Sequence, residues 1–248
     1  ISGKLCLVIP PEAAERIATE YTAGGITDAQ RMDFLNRWAF QYVYDEYGRM
    51  IKKRAPGASD WTLMVYDKWD RLVLTREPGW TANQWTFTKY DVFNRPIITG
   101  IYSTTFTHDV LRTNAMNSNV RHEEPVLNNA TGYHFTNTFP TTVTEADLLT
   151  VTYYDNYNFI YTGWDAENFN YSYSSSSKQD PVKGYTTGSK VRVLGVTPSR
   201  WINTVTYYDK KYRTLHTIGE NYQGGIDRIT NTYDFPGRLV SSTHLHTS

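Results

Sequence analysis

The stretch Trp38-Ala39-Phe40-Gln41-Tyr42-Val43-Tyr44-Asp45-Glu46-Tyr47-Gly48-Arg49-Met50-Ile51-Lys52-Lys53 decides the fold of this chain. Aromatic side chains fall at alternate positions before the Asp (Trp38, Phe40, Tyr42, Tyr44), the period-two signature of a strand with one packed face. A second apolar-then-polar run follows Arg49. Between the two runs, Asp45-Glu46-Tyr47-Gly48 has turn chemistry: an Asp can accept backbone N–H bonds two residues on, and a Gly supplies the positive φ of a type I turn with a bulge. The stretch reads as one β-hairpin.

The same unit recurs. Tyr-Asp pairs stand at Tyr44-Asp45, Tyr66-Asp67, Tyr90-Asp91, Tyr154-Asp155, Tyr208-Asp209 and Tyr233-Asp234, and in five copies an Arg follows four residues after the Asp: Arg49, Arg71, Arg95, Arg213 and Arg238. The fourth turn position holds Gly48, Asp70, Asn94, Asn158, Tyr212 and Gly237. All but Tyr212 are residue types that tolerate the left-handed region, so Tyr212 marks a turn that is strained or built differently. The Tyr positions are 22, 24, 64, 54 and 25 residues apart. Short intervals fit one hairpin each, and the long ones hold degenerate copies or insertions, as in a repeat array. We read the recurrent Asp and Arg as a turn clasp rather than a string of ligand sites, because they track the hairpin. The Tyr stripe reads as an inter-strand ladder whose hydroxyls reach a wet edge.

The rest of the chain is organised around these units. A strand is expected over residues 1–9, a helix from Glu12 to about Thr22 ended by Gly24-Gly25, and a second short helix capped by Thr27-Asp28 through Leu35-Asn36. We divide the chain into an N-terminal part (1–37), hairpins one to three (38–101), an irregular insertion (102–148) with a short helix after Thr107, and hairpins four to six (149–248). Ser172 to Asp180 reads as a low-complexity loop, and Lys190–Leu194 as a short strand after a turn at Gly188. The fold class is mainly β and antiparallel, with short N-terminal helices.

Composition limits the functions. The 248 residues carry 25 Lys+Arg against 25 Asp+Glu, so neither a nucleic-acid-binding tract nor an acidic tail is implied. Twenty Tyr, seven Trp and ten Phe, with Thr, Asn, Ser and Gly filling the connections, suit a β-rich extracytoplasmic protein. No 18-residue apolar run offers a membrane-spanning helix. The single cysteine, Cys6, has no internal disulfide partner and reads as a small hydrophobe. The chain does not open on a charged-then-apolar signal, so any export signal is expected outside this stretch, which reads as an internal segment. We find no nucleophile elbow, HExxH, phosphate loop or dinucleotide fingerprint, and assign no catalytic, cofactor or metal residue. The weak candidates are Asp67 and Asp70, read as turn residues, the pair His244 and His246, read as a solvated tail, and His122-Glu123-Glu124, which is only suggestive.

The unit Tyr-Asp-x-x-Gly-Arg, as in Tyr44 to Arg49 and Tyr233 to Arg238, resembles the YD repeat of the RHS (rearrangement hot spot) family, in the form found in Bacteroidota. Asn94-Arg95-Pro96, Gly188-Ser189-Lys190-Val191-Arg192-Val193-Leu194-Gly195 and Gly225-Ile226-Asp227-Arg228 extend the likeness over most of the chain. The resemblance implies a ribbon of hairpins that curves into a hollow shell, of which this chain is part of the wall. Such shells enclose a C-terminal toxin or other cargo, and the proteins are large, secreted or cell-surface, and exported in Bacteroidota by type IX secretion. The partners implied are the remainder of the shell, its cargo and the secretion machinery. The alternative is an adhesion module whose exposed aromatic rings bind surface glycans.

Overall fold

The computed structural model describes residues 3–20, 26–127, 129–161, 164–172 and 178–247. Thirteen strands make one antiparallel sheet whose spatial order follows the chain from first to last without closing. They are β1 Leu7–Val8, β2 Phe40–Tyr44, β3 Met50–Arg54, β4 Thr62–Tyr66, β5 Leu72–Arg76, β6 Gln84–Tyr90, β7 Pro96–Ser103, β8 Leu148–Asp155, β9 Val182–Val193, β10 Arg200–Tyr208, β11 Thr214–Glu220, β12 Ile226–Tyr233 and β13 Leu239–His246. The helices are α1 Pro11–Glu20, α2 Asp28–Trp38, α3 His108–Asn117 and the one-turn α4 Ala166–Phe169. Where five residues join two strands, as at 45–49, 67–71, 91–95, 209–213, 221–225 and 234–238, antiparallel pairing follows, because so short a connection can only return the chain alongside itself.

Contacts divide the chain into two compact units: residues 1–87 with 101–119, and 88–100 with 120–248. In the first, Val65, Leu74, Trp85 and Phe87 are buried on the sheet, and α3 packs on β4 through Leu111 and Ala115. Thr107 caps α3 by accepting from Val110 N, and Thr27 forms a reciprocal capping box with Gln30 at the start of α2. In the second unit an aromatic file fills the core. Tyr153 stacks on Phe159 (centroids 4.1 Å apart), Phe159 meets Trp164 edge-on at 5.1 Å, and Trp164 meets Phe169 at 5.1 Å. Tyr207 OH donates to Phe169 O at 2.6 Å and so ties α4 to β10.

Several expectations need correction. The N-terminal strand shrinks to Leu7–Val8. Trp38 belongs to the last turn of α2, because the capping box and helical propensity of the preceding segment carry the helix two residues past Asn36; its ring is covered instead by the Arg16 guanidinium, 4.4 Å from the centroid. The turn expected at Gly188 does not exist: β9 runs unbroken through it, and a Cβ there would stand 2.5 Å from Phe159 Cζ. That glycine is a place of close approach, not a bend. The helix stop at Gly24-Gly25 and the serine run 174–177 lie outside the described residues.

Bulges mark the ends of the regular hairpins. Register slips between Val43 and Tyr44, Val65 and Tyr66, Tyr207 and Tyr208, and Thr232 and Tyr233. Each slip is taken up by a left-handed residue in the turn: Gly48 (φ 78°), Asp70 (61°), Tyr212 (61°) and Gly237 (102°). Tyr212 therefore adopts the same turn as the others at a backbone cost that glycine avoids. We predict that Gly48→Ala lowers stability by about 1 kcal/mol through this backbone term, a fall in Tm of roughly 2–4 °C. An unchanged melting curve would show that the turn tolerates another conformation.

Candidate functional site

The recurrent Tyr, Asp and Arg residues converge on one geometry. At the first turn Asp45 Oδ1 accepts from Tyr47 N (3.0 Å) and Arg49 N (2.9 Å), and Oδ2 accepts from Arg49 Nε (2.8 Å). Backbone bonds Asp45 N to Arg49 O and Gly48 N to Asp45 O close the loop, both at 3.0 Å. Asp67 repeats this with Trp69 N, Arg71 N and Arg71 Nε at 2.9, 3.0 and 2.8 Å. Asp91 does so with Phe93 N, Arg95 N and Arg95 Nε at 2.9, 2.8 and 2.7 Å, and Asp209 with Lys211 N, Arg213 N and Arg213 Nε at 2.8, 2.9 and 2.6 Å. At the sixth turn Pro236 has no N–H to give, so Asp234 Oδ1 takes Gly237 N (2.9 Å) along with Arg238 N (2.7 Å), and Oδ2 takes Arg238 Nε (2.7 Å).

The Asp binds its own turn; the Arg also reaches forward. Arg49 Nη1 donates to Asp67 O (2.9 Å) and to Asp70 Oδ1 (3.0 Å) in the next clasped turn, and Arg213 Nη1 donates to Asp234 O (3.2 Å). The Tyr reaches back. Tyr233 OH donates to Thr214 O (2.8 Å), Tyr154 OH to Pro96 O (3.1 Å), Tyr208 OH to Thr186 O (2.8 Å) and Tyr44 OH to Leu5 O (3.0 Å). Arginines lie over the next tyrosine ring as well, Arg49 over Tyr66 at 5.3 Å and Arg213 over Tyr233 at 4.6 Å.

The fourth copy departs from the others. Phe159 stands where the Arg would be and turns inward to the aromatic file, and Asn158 begins a 3-10 turn instead of closing a hairpin. The left-handed residue is Asp155 itself (φ 71°), and β8 slips register twice, at Tyr153/Tyr154 and Tyr154/Asp155. Asp155 has no Arg of its own and takes the fork of Arg95, Nη1 to Oδ1 at 2.9 Å and Nη2 to Oδ2 at 2.6 Å, while Gly184 N donates to Oδ1 at 2.6 Å. The side-chain bonds from Arg95 hold the Asp155 carboxyl below the usual carboxylate range, and those from Asp155 push Arg95 further up.

One turn of this class lies outside the Tyr-Asp pattern. Asn221 Oδ1 accepts from Gln223 N (3.1 Å) and Gly225 N (2.9 Å), Asn221 N donates to Gly225 O, and Gly224 is left-handed (φ 99°). Arg200, from the neighbouring hairpin, donates to Asn221 O and Tyr222 O. An Asn with two glycines at the third and fourth following positions was the available signal.

The weak candidates resolve individually. Asp70 receives Arg49; His122 Nε2 meets Glu124 Oε1 at 2.6 Å; His246 Nδ1 meets Asp227 Oδ1 at 2.6 Å. Among the described residues no three His, Cys, Asp or Glu are grouped to hold a metal ion. Cys6, read as a small hydrophobe, is exposed and immediately precedes the two-residue strand β1. An open cleft of about 310 Å³ is lined by Asp45, Glu46, Tyr66, Asp109 and Arg112, with Arg112 Nη2 3.6 Å from Glu46 and 3.9 Å from Asp45.

Sequence reasoning missed the most perturbed amine. Lys89 and Glu123 are fully buried, with Nζ 3.4 Å from Oε1. Burial pulls the Lys89 ammonium down to about 8, against the pull of Glu123. A lysine titrating near neutrality suits chemistry, but Lys89 Nζ donates to Thr138 O and Pro140 O at 2.6 Å each, and Glu123 accepts from Thr138 N and Oγ1 and Asn137 N. The pair pins the irregular segment to β6.

Asp67→Ala is predicted to cost about 3–5 kcal/mol, because it breaks the buried Asp67–Arg71 ion pair. Asp67→Asn, which keeps the backbone acceptor as Asn221 does, is expected to cost less; equal Tm losses would contradict this division of labour. Burial raises the Asp45 and Asp209 carboxyls, but bonds from Arg49 and Arg213 outweigh it and leave both lowered. Depressed folded-state values mean stability that is complete above about pH 4, the unfolded range, and is lost as pH falls further. Urea midpoints taken from pH 6 down to pH 2 are therefore expected to fall only below about pH 4, and to fall less in an Asp45→Asn, Asp209→Asn variant.

No family model and no curated protein matches the sequence. Among solved structures the chain is similar to the crystal structure of TcdB2-TccC3-TEV, at 9% identity and a TM-score of 0.33, over 97% of this chain. The chain spans 15% of that structure's length.

Proposed function

We propose that the chain is a non-catalytic length of β wall in a large secreted or cell-surface protein of the RHS/YD-repeat kind, scaffolding or enclosing a C-terminal toxin or other cargo. The observation that carries this reading is the saturation of the repeated carboxylates. Asp67 spends both oxygens on its own turn and on Arg71, whose side chain is almost as buried, so the pair offers no free acceptor to a ligand. A residue set repeated at every regular hairpin and consumed there serves assembly. The large strand aromatics support the same reading, because Trp85, Phe87, Tyr153 and Tyr207 are buried in packing.

Glycan binding is the second reading. It is favoured by exposed rings at turn tips: Tyr47, Phe93, Tyr222 and Phe235, the last 90% exposed. Tyr47 and Phe93 lie against Arg49 and Arg95 of their own turns, with the guanidinium carbons 4.7 and 5.0 Å from the ring centroids. No helix among the described residues is long and apolar enough to cross a membrane.

The wall reading predicts that, in the full-length polypeptide, the cargo resists added protease, and that Asp67→Ala combined with Asp209→Ala exposes it. Equal cleavage of cargo in both proteins would contradict it. On a glycan array the unaltered chain is expected to bind nothing. Glycan binding lost in Tyr222→Ala or Phe235→Ala at unchanged Tm would replace the wall by the adhesion module.

A further inference from the structure

We propose that the cleft formed by Tyr157, Tyr171 and Tyr207 is a binding site for an organic ammonium group of the trimethylammonium class, and that Lys178 occupies it from within the chain. The inference is independent of the wall reading above, and all of its residues belong to the second compact unit. Tyr157 and Tyr207 stack with centroids 4.6 Å apart, and Tyr171 leans on Tyr207 at 5.1 Å with its plane tilted by 57°. The Lys178 ammonium lies over two of these rings, 4.4 Å from the Tyr157 centroid and 5.6 Å from that of Tyr207. Asp180 Oδ2 stands 3.1 Å from Nζ at the rim. Aromatic faces around a cation, with a carboxylate beside them, are how proteins hold quaternary ammonium ions, because the ring quadrupole attracts a positive charge that has lost its water.

The cage is fixed by bonds that do not involve its occupant. Tyr207 OH donates to Phe169 O at 2.6 Å and Tyr157 OH to Thr206 O at 3.3 Å. Both rings are thereby held at their far ends, and a site whose walls are already ordered binds at a lower entropic cost. Tyr157 belongs to the connection after β8, immediately before a 3-10 turn, and Tyr207 to β10, so two separate elements bring the rings together.

The occupant is held less firmly than the walls. The Lys178 side chain is 32% exposed, and the one hydrogen-bond partner of its ammonium among the described residues is Asp180, itself 41% exposed. Exposed pairs of this kind are weak. The backbone is anchored separately, through Gln179 N to Tyr208 O at 2.7 Å, so the lysine side chain can leave without breaking a main-chain bond. Its three N–H groups meet one carboxylate and otherwise face rings or water. A trimethylammonium head has no N–H to satisfy and turns its methyl groups to the rings. The open cleft of about 380 Å³ lined by the three tyrosines, Lys178 and Asp180 has room for such a head.

Two readouts on the whole chain test this. In the carbon–proton NMR spectrum the Lys178 Cε protons, assigned by Lys178→Arg, are expected upfield of those of the other lysines, because they lie over ring faces. Choline and N-acetyl-trimethyllysine amide are then titrated by calorimetry. We expect weak saturable binding to the unaltered chain and about tenfold tighter binding to Lys178→Ala, in which the internal competitor is gone. In that background Tyr171→Leu is expected to weaken binding about tenfold and Asp180→Asn about threefold; the second, at an exposed carboxylate, serves should the first unfold. The neutral isostere 3,3-dimethylbutan-1-ol is expected to bind at least about tenfold more weakly than choline. Tighter binding of the lysine derivative assigns the ammonium to a methylated side chain and tighter binding of choline to a free amine or lipid headgroup; both support the site. Absence of saturable binding by Lys178→Ala overturns the proposal. So do equal binding of the neutral isostere, indifference to both Tyr171→Leu and Asp180→Asn, and Lys178 protons at the position of exposed lysines. None of these outcomes bears on the cargo-protection result, so failure of the cage is distinguishable from failure of the wall.

Discussion

The structure depends on the bond network around a single carboxylate, the Asp of each clasped turn. Reversing an antiparallel strand in four residues leaves backbone N–H groups inside the turn that no strand can reach. The Asp supplies the missing acceptor, taking two N–H groups on one oxygen and the Arg Nε on the other. Buried polar groups left without partners cost about 1–3 kcal/mol each, so a turn of this kind needs an acceptor of this length at this position. Asn221 shows that the backbone half of the task can be done without charge.

The Arg gives the repeat its direction. A clasp confined to one turn would make independent hairpins, each marginal alone. Because Nη1 of Arg49 and Arg213 reaches the next turn while Tyr154 and Tyr233 reach back, each unit is completed by its neighbour. The fourth copy shows the consequence of losing one member. With Phe159 in place of Arg, the connection between β8 and β9 opens into a long excursion, and Asp155 is recruited to the fork of Arg95.

Features confined to six consecutive residues are legible in the sequence, since the acceptor, the left-handed residue and the donor of a clasp are all local. The capped starts of α2 and α3 are legible for the same reason. Features made by distant residues are not. Gly188 reads as a turn until Phe159 is brought over it. Lys89 is an unremarkable charge, and Glu123 one member of the suggestive run His122-Glu123-Glu124, until the segment between them folds back and buries both. Trp38 fits the strand period by chance, and the helix already capped at Thr27 claims it. Which way an Arg reaches is likewise invisible, because its partner belongs to the next hairpin.

The central claim is that the Arg couples consecutive hairpins. Native-state hydrogen exchange in Arg49→Lys tests it directly, since lysine keeps a charge beside Asp45 but loses the fork that spans to Asp67 O. The account predicts that protection falls at the amides of Trp69, Asp70 and Arg71 in the following turn as well as at Tyr47 and Gly48. Loss of protection confined to the first turn would contradict it.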